Sequence, residues 1–69
     1  MDVVLEIEGM KCAGCVAHVE DALKRTPGVQ EAAVSLEDGR ARVSAEEGAD
    51  ASAMAEAVRA AGYVARVEG

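Results

Sequence analysis

Sixty-nine residues with two cysteines, one tyrosine, no Trp or Phe and a formal charge of −6 describe one small, lightly packed domain. Seven basic residues scattered among thirteen acidic ones, with no aromatic platform beside them, argue against a nucleic-acid reader, which needs a Lys/Arg-rich face. No apolar run approaches the roughly 18 residues of a membrane span. Met1-Asp2-Val3-Val4-Leu5-Glu6 lacks the basic start and long apolar stretch of a secretory signal, so a cytosolic chain with reduced thiols is expected.

Val3, Leu5 and Ile7 alternate with Val4, Glu6 and Glu8, the period of a half-buried strand. Gly9 ends it and opens a loop. From about Gly14 to Arg25 the apolar positions Cys15, Val16, Val19, Ala22 and Leu23 recur at three and four, which predicts a helix. Lys24 and Arg25 complement its C-terminal dipole, and Pro27-Gly28 stops it. A second strand is predicted over Val29 to Leu36, with Ala32, Val34 and Leu36 on one face. Glu37-Asp38-Gly39 marks a hairpin, because Asp-Gly accepts the positive dihedrals of tight turns. Arg40 to Ala45 returns with Ala41, Val43 and Ala45 inward. Asp50 is the expected N-cap of a second helix over Ala51 to about Ala61, with Met54, Ala57, Val58 and Ala61 as its buried stripe and Gly62 past its end. Tyr63, Ala65 and Val67 then face inward from a last strand.

The order β-α-β-β-α-β predicts an α+β ferredoxin-like sandwich over residues 1–69, a four-stranded antiparallel sheet with both helices on one face. Right-handed crossovers put the first and third strands in the centre. The uncovered face then carries Glu6, Glu8, Arg40, Arg42, Arg66 and Glu68, whose opposite charges can pair across strands. A core so rich in alanine predicts marginal stability without ligand, and added stability once a metal ties the sulfurs together.

Both cysteines lie in Gly9-Met10-Lys11-Cys12-Ala13-Gly14-Cys15. Two thiols at this spacing, one in the loop and one in the first helical turn, can converge on a single ion. The exposed N–H groups and positive dipole of a helix start favour thiolate over thiol, and Lys11 adds a positive charge nearby. Soft thiolates select soft ions such as Cu(I) or Hg(II), and structural zinc needs four ligands. By itself C-x-x-C also fits a redox pair, half a zinc site, or two unremarkable cysteines.

Gly9-Met10-x-Cys12-x-x-Cys15, followed by Val16, Val19, Ala22-Leu23, Pro27-Gly28-Val29 and Gly62-Tyr63, resembles the heavy-metal-associated domain family across essentially the whole chain, Leu5 to Val67. That family includes Atx-type copper chaperones, N-terminal domains of copper-transporting P-type ATPases and mercury-binding domains. The resemblance implies a non-catalytic cytoplasmic domain with Cys12 and Cys15 as the metal ligands and Cu(I) as the cargo. It implies transfer by thiolate exchange to a C-x-x-C of a copper ATPase or similar domain, and it is compatible with a metal-bridged dimer. Within the resemblance Met10 is a buried anchor of the loop and not a thioether ligand. Lys11 departs from the usual Thr, Ser, Asn, Asp or His; an ammonium offsets the −1 charge of a bis-thiolate Cu(I) site, or is an ordinary exposed lysine. His18, one turn beyond Cys15, is expected to be solvated. Tyr63 is expected near the metal loop, as in bacterial copper chaperones, or simply in the core. The cluster Glu46, Glu47 and Asp50 reads as a solvated loop.

Two other readings stand beside the copper one. Cys15-Val16-Ala17-His18-Val19-Glu20-Asp21-Ala22-Leu23 is also similar to the N-terminal domain of mercuric reductases, which implies Hg(II) as cargo. A thiol–disulfide oxidoreductase using Cys12 and Cys15 is the third. It lacks an acid–base group beside the pair and sits poorly with this topology.

Overall fold

A computed structural model describes residues 1–68 of the chain. The elements follow in the expected order: β1 (Asp2–Glu8), α1 (Ala13–Lys24), β2 (Val29–Ser35), β3 (Arg40–Ala45), α2 (Ala51–Ala60) and β4 (Val64–Val67). The strands form one antiparallel sheet in the order β2-β3-β1-β4, so β1 and β3 hold the centre. Val3 opposes Val43 and Leu5 opposes Ala41 on one side of β1, while Ile7 opposes Ala65 on the other. These inward residues meet Val19 and Leu23 of α1 and Met54, Ala55 and Val58 of α2 in a single core. Leu5, Leu23 and Met54 are its largest fully buried side chains. Truncating any of them to alanine costs about 2–5 kcal/mol, a large share of the roughly 3–10 kcal/mol that holds a chain of this length.

The helix ends explain why the segments stop where they do. Asp50 caps α2 by accepting a hydrogen bond from the Ser52 N–H at 2.9 Å. At the other end Gly62, with φ +105°, donates to the Arg59 carbonyl, and the Tyr63 N–H reaches back to the Val58 carbonyl. That pair of bonds closes the last turn and aims Tyr63 away from the helix axis. Helix α1 ends at Lys24, three residues before Pro27. Thr26 is buried there, its hydroxyl donating to the Ala22 carbonyl at 3.1 Å.

Several side chains depart from the simple alternation. A bulge between Val29 and Glu31 adds one residue to β2, which places Val29 opposite Ala45 and on the same face as Ala32 and Val34. Leu36 falls outside β2, in the hairpin, and is exposed. The hairpin is longer than a two-residue Asp-Gly turn. Gly39 alone takes a positive φ, and its N–H bonds the Ser35 carbonyl across four residues, with Asp38 N–H on the Ser35 hydroxyl. Val67 opposes Leu5 but remains 45% exposed, because β4 is an edge strand with a neighbour on one side only. In α2 the buried stripe is Met54, Ala55 and Val58; Ala57 is half-buried, and Ala61, the C-cap, is exposed.

The open sheet face carries the charges expected of it. Arg40 pairs with Glu68 at 2.6 Å across β1, and Arg66 lies 3.6 Å from Glu8 and 4.0 Å from Glu6. All these partners are exposed, so each pair contributes no more than about 1 kcal/mol.

Candidate metal centre

The cysteine loop hangs between two fixed points. β1 delivers the chain to Glu8, where the Ile7 N–H also bonds the Gly39 carbonyl at 2.7 Å and ties the hairpin to the strand end. Gly9 then turns with φ +102°, a conformation that L side chains rarely adopt. Met10 packs against the core as an anchor, while Lys11 is exposed.

Cys12 is the N-cap of α1, in extended backbone, and its carbonyl accepts from the N–H groups of Cys15 (3.0 Å) and Val16 (3.3 Å). A Ser, Thr, Asp or Asn at this position would fold its side chain back onto the helix N–H groups. The Cys12 thiol makes no such cap bond, and its sulfur instead faces Cys15 Sγ at 3.6 Å. Both cysteines are free, Cys12 exposed and Cys15 half-buried. The first turn of α1 carries no acidic residue, so no side-chain charge there opposes a thiolate at the positive end of the helix.

The surroundings favour ionisation of Cys15, whose pKa is lowered to about 7. Backbone hydrogen bonding at Lys11 is the main cause, followed by the Tyr63 hydroxyl and the Cys12 thiol, against a smaller opposing effect of desolvation. The reciprocal shift appears on Tyr63, which is pushed up chiefly because its phenol donates to Cys15. Tyr63 therefore keeps its proton while the sulfur gives its proton up. The ring also covers the loop's turn: a Cβ built on Gly9 would lie 3.6 Å from Tyr63 Cδ1. Tyr63 thus joins the loop from a distant part of the chain, as the family resemblance implied and as residue spacing alone does not show.

Other side chains stay apart from the pair. Among the described residues no group of three or more His, Cys, Asp or Glu side chains converges to hold an ion. His18 is exposed and lines a shallow groove with Asp21 of α1 and its C-cap Arg25, facing Ala57 and Ala60 of α2 and its C-cap Ala61. Glu46, Glu47 and Asp50 are likewise exposed. What α1 presents at its N-terminus is a pair of sulfurs alone, a donor set suited to soft ions satisfied by two thiolates.

A ferredoxin-like sandwich with an exposed dithiol at the first helix N-terminus defines a class of small single-sheet domains built around one loop. The heavy-metal-associated domain profile matches residues 4–64, and the chain belongs to that family. It is 57% identical over 63 residues to copper-transporting ATPase 2 of Rhizobium meliloti, covering 90% of this chain and 8% of that protein. It is 39% identical over 64 residues to the mercuric reductase of Shewanella putrefaciens, covering 93% of this chain and 12% of that protein. The chain therefore spans only about a tenth of the length of these two relatives. Among solved structures it superimposes on the CopZ metallochaperone with a TM-score of 0.89 at 36% identity, covering 96% of this chain and all of that one. A copper binding domain from HMA7, a P-type ATPase, gives a TM-score of 0.94 at 30% identity over 99% of this chain and 93% of the other.

Proposed function

We propose that residues 1–69 act as one heavy-metal-associated domain that carries Cu(I) on Cys12 and Cys15 and hands it to another C-x-x-C site by thiolate exchange. The observation that carries this reading is the pair of free sulfurs 3.6 Å apart at the helix start, with no third donor gathered around them among the described residues. Two sulfurs at that separation, each bonded to one ion at about 2.3 Å, enclose an angle of about 100°. A linear arrangement needs the sulfurs about 1 Å further apart, which rotation of the exposed Cys12 side chain supplies. At the bent bite the solvent side of the ion stays open, so an incoming thiolate adds there before one of the two resident sulfurs leaves. The ion passes between proteins without being released to water.

Charge supports the choice of ion. A bis-thiolate complex is −1 with Cu(I) and neutral with Hg(II) or Zn(II), so the exposed Lys11 ammonium favours the copper complex. The relatives named for copper transport and the CopZ metallochaperone support the same cargo, and a copper P-type ATPase or a second domain of this family as the partner. In this role the domain is a non-catalytic carrier on the cytoplasmic side of the membrane. The 39% identity to a mercuric reductase favours Hg(II) as the second reading, with the same two sulfurs and an intramolecular acceptor.

Competition against a chromophoric Cu(I) chelator tests the proposal. One equivalent of Cu(I) is expected on the reduced chain, and the site is expected to fail in Cys12→Ser and in Cys15→Ser. Undiminished retention in the double serine variant would overturn the assignment. Ranking Cu(I) against Hg(II) in the same format separates the two cargoes.

A further inference from the structure

We propose that two copies of this chain pair antiparallel along the free edge of β2, with the two-fold axis at Ala33, and form one continuous eight-stranded sheet. The inference stands apart from the metal reading, because it uses no residue of the cysteine loop.

Hydrogen bonds at the strand ends fix which backbone groups each edge leaves free. Met1 and Ala45 exchange bonds at 2.8 Å, and the Glu46 N–H reaches the Gly28 carbonyl at 2.9 Å. Successive residues of a strand turn their N–H and C=O to opposite sides. Ala41 and Val43 therefore follow Ala45 toward β1, while Arg40, Arg42 and Ser44 turn toward Ser35, Ala33 and Glu31 of β2. That leaves Ala32 and Val34 with both backbone groups pointing outward. Among the described residues no loop or side chain bonds to them. Their side chains pack against the core yet are only half-buried. A surface hollow lined by Lys24, Glu31 and Ala32 runs beside them, so α1 leaves this edge uncovered.

The opposite edge is guarded. The Glu68 N–H bonds the Val4 carbonyl, so Arg66 and Val64 also turn toward β1, and Ala65 and Val67 turn outward. The Arg59 guanidinium donates to the Ala65 carbonyl at 2.9 Å and occupies an acceptor that an added strand needs. Pairing β4 with its own copy through Ala65 and Val67 also sets Arg66 against Arg66 across the axis.

β2, by contrast, suits its own copy. With the axis at Ala33, Ala32 opposes Val34 of the second copy on either side of it, and the two pairs exchange four bonds. Glu31 opposes Ser35 and Ala33 meets Ala33, so no like charges face each other and only methyl groups stand at the axis. Ala32 and Val34 gain the apolar neighbour that an edge strand lacks. The bulge between Val29 and Glu31 confines regular pairing to residues 31–35. So small an interface between chains of charge −6 is weak, and salt strengthens it by screening the repulsion. The two β1 strands lie five strand spacings apart, about 24 Å, and run in opposite directions. The cysteine loops therefore stay at opposite ends of the sheet, and no metal bridges them.

The test is a concentration series on the reduced chain up to millimolar, with a metal chelator present, read by sedimentation equilibrium and amide hydrogen exchange. The mass is expected to move from monomer to dimer, more readily at high salt. Exchange at Ala32 and Val34 is expected to slow with concentration, while Ala65 and Val67 stay unchanged. Ala32→Pro removes an N–H that serves no bond within the chain, so it is expected to keep the fold and weaken association about tenfold or more. Ala33→Glu and Ala33→Lys place like charges at the axis and are each expected to weaken it similarly. An equimolar mixture of those two is expected to recover a dimer, a result that does not depend on how well Ala32→Pro folds. A chain that stays monomeric at millimolar, protection confined to β4 or the helices, or a charge-swapped mixture that recovers nothing would overturn the proposal. So would a dimer abolished by the chelator or by Cys12→Ser with Cys15→Ser, since metal would then be the bridge. Loss of Cu(I) binding in the competition assay leaves this pairing untouched, so the two readings fail separately.

Discussion

Removing the Tyr63 hydroxyl tests how the loop prepares its sulfurs, because that group reaches Cys15 only through the fold. With its pKa lowered from 9.0 to about 7, Cys15 is about half thiolate at pH 7, against about one part in a hundred for an unperturbed thiol. The population gain is about fiftyfold, but a less basic thiolate is a weaker nucleophile. With a Brønsted slope of about 0.4–0.5 and a two-unit drop, that loss is about eightfold, leaving a net rate gain of about sixfold at pH 7. The cleaner observable is the midpoint of the rate–pH profile, which does not depend on intrinsic nucleophilicity. Iodoacetamide labelling of the reduced, metal-free chain, read at Cys15 by peptide mass, is expected to titrate near pH 7. In Tyr63→Phe the midpoint is expected to rise, since a donor to the sulfur is gone while the ring packing over Gly9 is retained. A wild-type midpoint near 9, or an unmoved midpoint in a folded Tyr63→Phe, would refute this account of the site. The same shift links to stability. A folded pKa below the unfolded one gives a contribution that is complete above about 9 and lost as pH falls through about 7. The urea midpoint therefore rises between pH 7 and 9, and Cys15→Ser lacks that increment.

Other perturbations address the scaffold and the choice of ion. Gly28 sits at φ +88°, and a Cβ there would lie 2.9 Å from Ala49 Cβ, so Gly28→Ala incurs both backbone strain and overpacking, about 2–4 kcal/mol together. Gly48→Ala, at φ +92° with no atom within 4 Å of its Cβ, incurs the backbone part alone, about 1 kcal/mol. Equal urea midpoints for the two variants would remove the steric argument. Asp50→Ala takes away the cap on Ser52 N–H and is expected to cost about 1 kcal/mol, or about 4–8 °C in Tm by circular dichroism. Lys11→Asp is expected to raise Zn(II) affinity relative to Cu(I) in chelator competition, and an unchanged ratio would dismiss the charge argument.

Strand alternation in Val3, Leu5 and Ile7, the cap at Asp50, the glycine at 62 and the C-x-x-C ahead of a helical period are local signals. Each acts within a few residues, through side-chain direction or backbone freedom, so each was legible in the linear chain along with the element order and both central strands. Signals that depend on neighbours were not legible. Leu36 and Val67 have the right parity for the core, yet one lies in the hairpin and the other on an edge strand. The bulge after Val29 changes which β2 residues face inward, and it is defined only by pairing with β3. Thr26 is buried because its hydroxyl finds the Ala22 carbonyl, a bond that exists only once α1 has ended there. At the candidate site the motif named both sulfurs, because C-x-x-C at a helix start brings two thiols together whatever the remaining chain does. Their environment is a tertiary matter. Tyr63 meets Gly9 and Cys15 only after β4 pairs with β1 and the end of α2 turns the ring onto the loop, and electrostatic and hydrogen-bonding effects on a thiol depend on such distances in space.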